Sequence, residues 1–379
     1  MTSQAADSAR TQQTDVVVVG SGGAGLAAAL SAALAGANVT VIERAPVLGG
    51  TTAISGAGMW LPGTPLTQQL GFEDSPEEVR VYLQRLAVGK TTDELIDAFI
   101  DAAPRAFEML RSTAGMDFEL TTQPDYQTSF PGAKAGGRSV WPTLYDASRL
   151  GEFAALIRDT PRPGGMPPVT YSELADSNWG IGEGGDAWVQ IVEERERDQV
   201  FGKGRALIAA LVEACRRHGV QFVLGERARE LTVDGDRVTG VVTEGEGGDV
   251  TYCAEKGVVL ASGGFEWNPV LWRELVGSPL DVPVSPPGND GDAIRMASKV
   301  GARMGNLGEV WWMPGVAVDG ETYDGQPRLR MGAAGKSLPG AIVVNSTGRR
   351  FANESMNYND FGQMMTHFDP PTYTYPNYP

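Results

Sequence analysis

Residues Asp15-Val-Val-Val-Val-Gly20-Ser-Gly22-Gly23-Ala24-Gly25, then Leu26–Ala35 (LAAALSAALA), Gly36 and Val39–Ile42, decide how this chain is read. The β-branched run at 15–19 shows no alternation, as expected of a strand buried on both faces of a parallel sheet. The Ala/Leu-rich stretch predicts a helix ended by Gly36, and 39–42 predicts a second strand closing at Glu43. Strand, turn, helix and strand fit within about 30 residues, the length of a βαβ unit. Gly20, Gly22 and Gly25 stand where such a unit grips a dinucleotide. Gly20 permits the tight turn, Gly22 lets backbone approach a pyrophosphate, and Gly25 allows helix and strand to pack closely. With Gly23 and Ala24, the helix N-terminus offers free N–H groups and a positive dipole end to phosphate. Glu43, with Arg44 beside it, is placed to accept both ribose hydroxyls, which argues against a 2′-phosphate.

The same stretch carries a trap. From Val16 to Ile42, 27 consecutive residues are uncharged, enough for a membrane span by hydropathy alone. Five of them are glycine, and only Arg10 is basic upstream, so a buried strand, turn and helix fit better than a span or a leader. Residues 1–14 are small and polar and are expected to form a disordered tail. The remaining composition narrows the classes further. A chain of 379 residues has room for two or three domains, and 31 Lys+Arg against 47 Asp+Glu leaves no basic footprint for nucleic acid. Two cysteines and two histidines offer neither a zinc nor an iron–sulfur ligand set, so no metal site is expected. Cys215 and Cys253 are read as inert thiols in a reducing cytoplasm. Cys215 has His218 three residues on but no third group to orient the pair.

Farther along, helices are expected at 76–87, 92–112 and 203–218, and loops with short pieces over 121–190. Strands are expected at 221–224, 228–233 and 237–243, the last two joined by an Asp234-Gly235 turn. Gly257–Ala261 reads as another buried strand, ending in Ser262-Gly263-Gly264, and Asp292 as the N-cap of a helix over 293–300. With Pro283–Pro287 as linker, the domains are 15–285 for the cofactor and 286–379 for the substrate. The last twelve residues, FDPPTYTYPNYP, contain no element to dock them, so the chain is expected to stop inside a domain.

Six residues past Glu43 comes a second Gly/Thr loop, Gly49-Gly50-Thr51-Thr52, then Ser55-Gly56-Ala57-Gly58. A nicotinamide enzyme has no reason for it, whereas a flavin enzyme needs close backbone and hydroxyl contacts there. The loop resembles that of the fumarate reductase/succinate dehydrogenase flavoproteins and 3-ketosteroid dehydrogenases. VVLASGGFEWNP (258–269), GNDGDAIRMASKVGA (288–302) and IVVNSTGRRFANES (342–355) resemble further segments of that family, in the same order. The resemblance implies an α/β fold: a doubly wound, Rossmann-like FAD-binding domain and a smaller α+β substrate domain, incomplete at the C-terminus. It implies FAD held by Gly20, Gly22, Gly23, Ala24, Gly25, Glu43, Arg44, Gly50, Thr51 and Thr52. Ser55, Gly56, Gly58, Ala228, Ser262, Gly263 and Gly264 complete that set.

Fumarate reductases carry an arginine as proton donor after the NE pair; counted from Glu354, that place holds Tyr358 here. A phenol does not clamp carboxylates as a guanidinium does. In 3-ketosteroid Δ1-dehydrogenases a tyrosine at this place removes the proton beside the ketone, and PDYQTSFPGAKAGGRSVWP (124–142) resembles their loop with an assisting tyrosine. The resemblance thus makes Tyr358 the candidate base and Tyr126 its helper, with Gln127 where a second tyrosine stands in the family. It implies dehydrogenation of a 3-ketosteroid or similar small apolar cyclic ketone, with electrons passed to a separate acceptor. A fumarate-reductase-like or Δ4-ketosteroid oxidoreductase is one alternative, and a truncated dinucleotide-binding remnant another. Because the family's returning C-terminal segment is absent, weakened FAD retention is expected. Trp311, Trp312 and Met313 line either a flat apolar pocket or the core, and Arg349-Arg350 reads as a structural or solvated pair. Gly335-Lys336-Ser337 fails as a P-loop because position 330 is Arg.

Overall fold

The computed structural model describes residues 10–161, 165–176, 185–332 and 335–378. Its first crossover comprises β1 (Arg10–Val19), α1 (Gly23–Leu34) and β2 (Val39–Glu43). Val17 and Val18 are fully buried, and α1 covers one face of the sheet with Leu26, Ala29 and Leu30. After the short α2 (Gly50–Ile54) the chain leaves the sheet. This excursion contains β3 (Met59–Trp60), α3 (Pro65–Gln69), α4 (Pro76–Ala87) and α5 (Asp93–Glu108). It continues with β4 (Phe118–Leu120), β5 (Ser139–Pro142), β6 (Tyr145–Asp146), α6 (Tyr171–Asp176), α7 (Gly185–Arg197) and β7 (Val200–Phe201). The return runs through α8 (Lys203–Arg217), β8 (Gln221–Leu224), β9 (Arg227–Asp234), β10 (Arg237–Gly245) and β11 (Gly248–Leu260). Then follow α9 (Pro269–Leu275), α10 (Asp292–Lys299), a hairpin of β12 (Gly315–Tyr323) and β13 (Gln326–Met331), and α11 (Tyr358–Met365).

The main sheet has the order β8-β2-β1-β11-β10-β9. β8, β2, β1 and β11 are parallel, while β10 and β9 add an antiparallel edge. β1 has β2 on one side and β11 on the other, so the connections part at its carboxyl end and leave a crevice there. Doubly wound sheets bind ligands at such a switch point. One face of the sheet packs on α1 and α8, whose Ala206–Val212 run is almost wholly buried. On the other face Val17, Val19, Ile42, Leu231 and Val241 pack with Met296 of α10.

Several expectations need correction. Residues 10–14 of the expected tail are strand, pairing with Val250–Ala254 of β11; residues 1–9 lie outside the described ones. β11 begins at Gly248, nine residues before the expected strand. Burial of Val250, Tyr252 and Ala254 with exposed or half-buried residues between them is the two-residue period that identifies it. Asp292 is the first helical residue of α10, not its cap, because Gly291 holds the left-handed cap conformation at φ 79°. Within 121–190 the short pieces expected among loops are β5, β6, α6, a 3₁₀ segment and the start of α7; residues 162–164 and 177–184 are outside the described ones. The segment just after 285 also packs on the main sheet. Met296 belongs to the core of the main sheet, and Asp292 pairs with Arg227 of β9 at 2.8 Å.

Candidate active site

The glycine turn closes the crevice at the end of β1. Gly20 turns with φ 105°, and a side chain on it would collide with the Ala261 carbonyl. A methyl on Gly25 would strike the Gly20 carbonyl, so α1 starts in direct backbone contact with the strand end. Gly22 differs. A Cβ there would meet nothing nearer than Thr52 Oγ1 at 3.9 Å, so its backbone faces open space. The first turn of α1 has no side-chain cap and no acidic residue. The positive dipole end of an uncapped helix thus meets an open cradle, which fits a pyrophosphate. Gly50 faces Gly22 across this cradle, Thr52 Oγ1 accepts from the Gly23 N–H at 3.1 Å, and Ser262 lies against Gly20. Thr51 Oγ1 contacts Asn289 Nδ2 at 3.4 Å. Gly20, Gly22, Gly23, Gly25, Gly50, Thr52 and Ser262 therefore lie together around this turn.

Other members of the expected set serve the protein itself. The Glu43 carboxylate is buried and accepts from Ser21 N (3.0 Å), Ser21 Oγ (2.7 Å) and Ala45 N (2.9 Å). A carboxylate can accept about four hydrogen bonds, so Oε1 keeps acceptor capacity for a ribose hydroxyl. Arg44 turns its guanidinium to the Gly288 carbonyl (2.7 Å) and Asp290 (2.6 Å), holding the 288–292 turn. Ser55 Oγ closes its own loop onto Thr52 O and Ala57 N. The faces of Gly56 and Gly58 on which a Cβ would stand are covered by the Trp141 indole, with approaches of 2.8 and 2.7 Å. Gly263 and Gly264 give the corresponding faces to Asn289 and Glu266, and Ala228 is buried in β9 opposite Thr243.

The two tyrosines, 232 positions apart, meet. Their rings stand edge to face at 5.7 Å. Burial first, then the neighbouring Tyr358 hydroxyl, push the Tyr126 phenol above its ordinary range. Trp311 Nε1 donates to Tyr358 Oη at 2.9 Å. The Trp312 N–H donates to Asn359 Oδ1 at 2.9 Å, and Trp312 packs on Gly362 and edge-on to Trp272. Trp311 is thus exposed at the site, while Trp312 is packing. Tyr126, Glu309, Val310, Trp311 and Asn359 line a cavity of about 350 Å³.

Two supports went unread in the sequence. Arg138, 1% exposed, bonds Asp74 and Asp125, each at 2.8 Å. Asp125 also accepts from Trp60 Nε1 (2.7 Å) and Lys134 N (2.8 Å), so the residue next to Tyr126 is held from three sides. The signal available was the basic and acidic pair inside one loop, 124–142. Lys336, dismissed as part of a P-loop, donates to the Glu354 (2.7 Å) and Met356 (2.6 Å) carbonyls and so anchors the approach to Tyr358. Arg350 pairs with Glu354, the structural role read for it. Cys215 is buried, its thiol pushed up to about 12 by that burial, and carries no nucleophile chemistry. No group of metal ligands occurs among the described residues, and no described helix is long and apolar enough to cross a membrane.

A family model described as FAD binding domain matches residues 15–373. The chain belongs to this family. The FAD-binding chain is 38% identical over 374 residues to 4-oxocyclohexanecarboxylate 2-dehydrogenase of Sinomonas cyclohexanicum, an alignment covering 96% of it and 63% of that relative. It is 33% identical to 3-oxosteroid 1-dehydrogenase of Mycolicibacterium smegmatis, with 92% and 63% covered. The crystal structure of 3-ketosteroid delta1-dehydrogenase from Sterolibacterium denitrificans, in complex with 1,4-androstadiene-3,17-dione, superposes with a TM-score of 0.85 at 32% identity. That match covers 93% of the FAD-binding chain and 66% of the neighbour. The chain therefore spans just under two thirds of the length of these relatives. The cofactor is FAD, and the open cradle at Gly22 and Gly50 suits its pyrophosphate.

Proposed function

We propose that this chain belongs to a cytoplasmic FAD-dependent dehydrogenase that introduces a C=C bond beside the ketone of a cyclic substrate, a 3-ketosteroid or a smaller oxocyclohexane. The observation that carries this reading is the edge-to-face meeting of Tyr126 and Tyr358 beside a hollow lined by Tyr126 and Trp311, with the Trp311 indole N–H donating to the Tyr358 oxygen. A ketone acidifies the C–H bonds next to it, so a phenolate there removes one hydrogen as a proton. The neighbouring carbon then loses hydride as the C=C bond forms. Bound FAD supplies the hydride acceptor. Tyr358 takes the proton at Oη. Tyr126, its phenol pushed above the ordinary range, is the neighbouring hydroxyl that stabilises the phenolate form of Tyr358. An unperturbed tyrosine titrates near ~10, so such donors are needed for it to act as a base near neutrality.

The name of the relative at 38% identity favours a small oxocyclohexane acid, and that of the Mycolicibacterium smegmatis relative at 33% favours a steroid. Turnover of the FAD-loaded chain with 4-oxocyclohexanecarboxylate, androst-4-ene-3,17-dione and fumarate, using an artificial electron acceptor, separates these from a fumarate reductase. Tyr358→Phe is expected to lower kcat with the accepted ketone by at least ~100-fold. Turnover within tenfold of the native chain rejects Tyr358 as the base.

A further inference from the structure

We propose that Trp311 is a positioning residue for Tyr358: its indole N–H holds the phenol oxygen and leaves the remaining acceptor directions of that oxygen to a substrate hydrogen. This rests on the reading of Tyr358 as the base and deepens it. An indole N–H can only donate, so the 2.9 Å bond from Trp311 has one polarity. A neutral Tyr358 that receives this bond must point its own hydrogen elsewhere. A Tyr358 phenolate keeps this donor and has further acceptor directions free for a substrate hydrogen.

The geometry is held by the backbone. Trp312 N donates to Asn359 Oδ1, next in sequence to Tyr358, and Trp312 is packed onto Gly362 one turn later in α11. Segment 311–312 and the first turn of α11 are therefore riveted at two points. This pairing accounts for the 78% exposure of Trp311, a large apolar side chain whose one polar atom is directed at the candidate base.

The polar groups grouped around this pair and its neighbour Tyr126 come from several elements. Tyr126 and Gln127 come from the 124–138 loop, Tyr82 from α4, Glu309 from the segment before Trp311, and Asp360 from α11. The two carboxylates are engaged elsewhere: Glu309 with Lys90 at 2.5 Å, and Asp360 with Gln127 and with Asn357 at 2.8 Å. The indole N–H is thus the donor that acts directly on the Tyr358 oxygen.

The test uses the FAD-loaded chain carrying ¹³Cζ-tyrosine, with the Tyr358 signal assigned by its loss in Tyr358→Phe. Trp311→Phe is expected to raise the Tyr358 titration midpoint by about one pH unit, a tenfold drop in its phenolate fraction at a given pH. In the native chain the Trp311 indole N–H resonance, assigned by its loss in the same variant, is expected to shift with the midpoint of Tyr358. An unchanged midpoint in Trp311→Phe, or an indole resonance indifferent to that titration, overturns the proposal. Both readouts are independent of turnover, so a failure of Tyr358 as the base is recognised separately, by kcat of Tyr358→Phe.

Discussion

Arg138 makes the sharpest case for what single residues do here. It is buried with two carboxylates, Asp74 and Asp125, and its guanidinium lies 5.5 Å from the Trp60 ring and 5.8 Å from that of Tyr82. Removing the cation strands two buried anions. We expect Arg138→Met to destabilise the chain by about 3–5 kcal/mol and to free the Tyr126 loop, as read by chemical denaturation and by proteolysis within 124–138. Glu354 provides a pH test at the same scale. Its carboxyl is held down to about 2, first by the Arg350 hydrogen bond and then by the Val343 N–H. A depressed carboxyl stabilises the fold above its unfolded value of about 4.3, and the contribution fades as pH falls from there through about 2. Arg350→Gln is expected to return the Glu354 titration towards the ordinary range, as followed by NMR of its carboxyl carbon. The pairing of Arg138 with Asp74 could not be read from the chain. Arg138 and Asp74 are 64 residues apart, and nothing local to either announces the other.

At the scale of elements, the first crossover was legible because its determinants are local: a β-branched run, a glycine turn and an Ala/Leu helix, each within a few residues. The Asp234-Gly235 hairpin was legible for the same reason, and β9 and β10 flank it. The first half of β11 was missed because its glycines and charges hide a two-residue period, and its partners are not adjacent in sequence. The site divides in the same way. The cradle was read from one motif, whereas the uses of Glu43, Arg44, Gly56 and Gly58 depend on Ser21, Asp290 and Trp141, which only the fold brings near. The helix start carries its own prediction. Gly25→Ala places a methyl against the Gly20 carbonyl, so α1 must move away from β1. We expect at least tenfold weaker FAD binding, measured by flavin fluorescence quenching, with a loss of stability of about 1–3 kcal/mol.

Across the whole molecule, the candidate site joins segments far apart in the chain. Tyr126 comes from the excursion between β3 and β5, and Tyr358 from α11 after the last hairpin. The cofactor cradle is assembled from β1, the start of α1, α2 and the end of β11. Its alignment therefore depends on the register of β1, which pairs with β11 over nearly its whole length. Residues 10–14 hold one side of Val250–Ala254, and β10 holds the other. A chain begun at Asp15 would strip that side and leave an unprotected row of amides, which recruits strands from other molecules. We expect such a shortened protein to self-associate, read by light scattering, while the chain begun at Arg10 stays dispersed. For anyone expressing this protein, the practical start codon lies upstream of the stretch that first looks like a domain, and an N-terminal purification handle needs a spacer before Arg10.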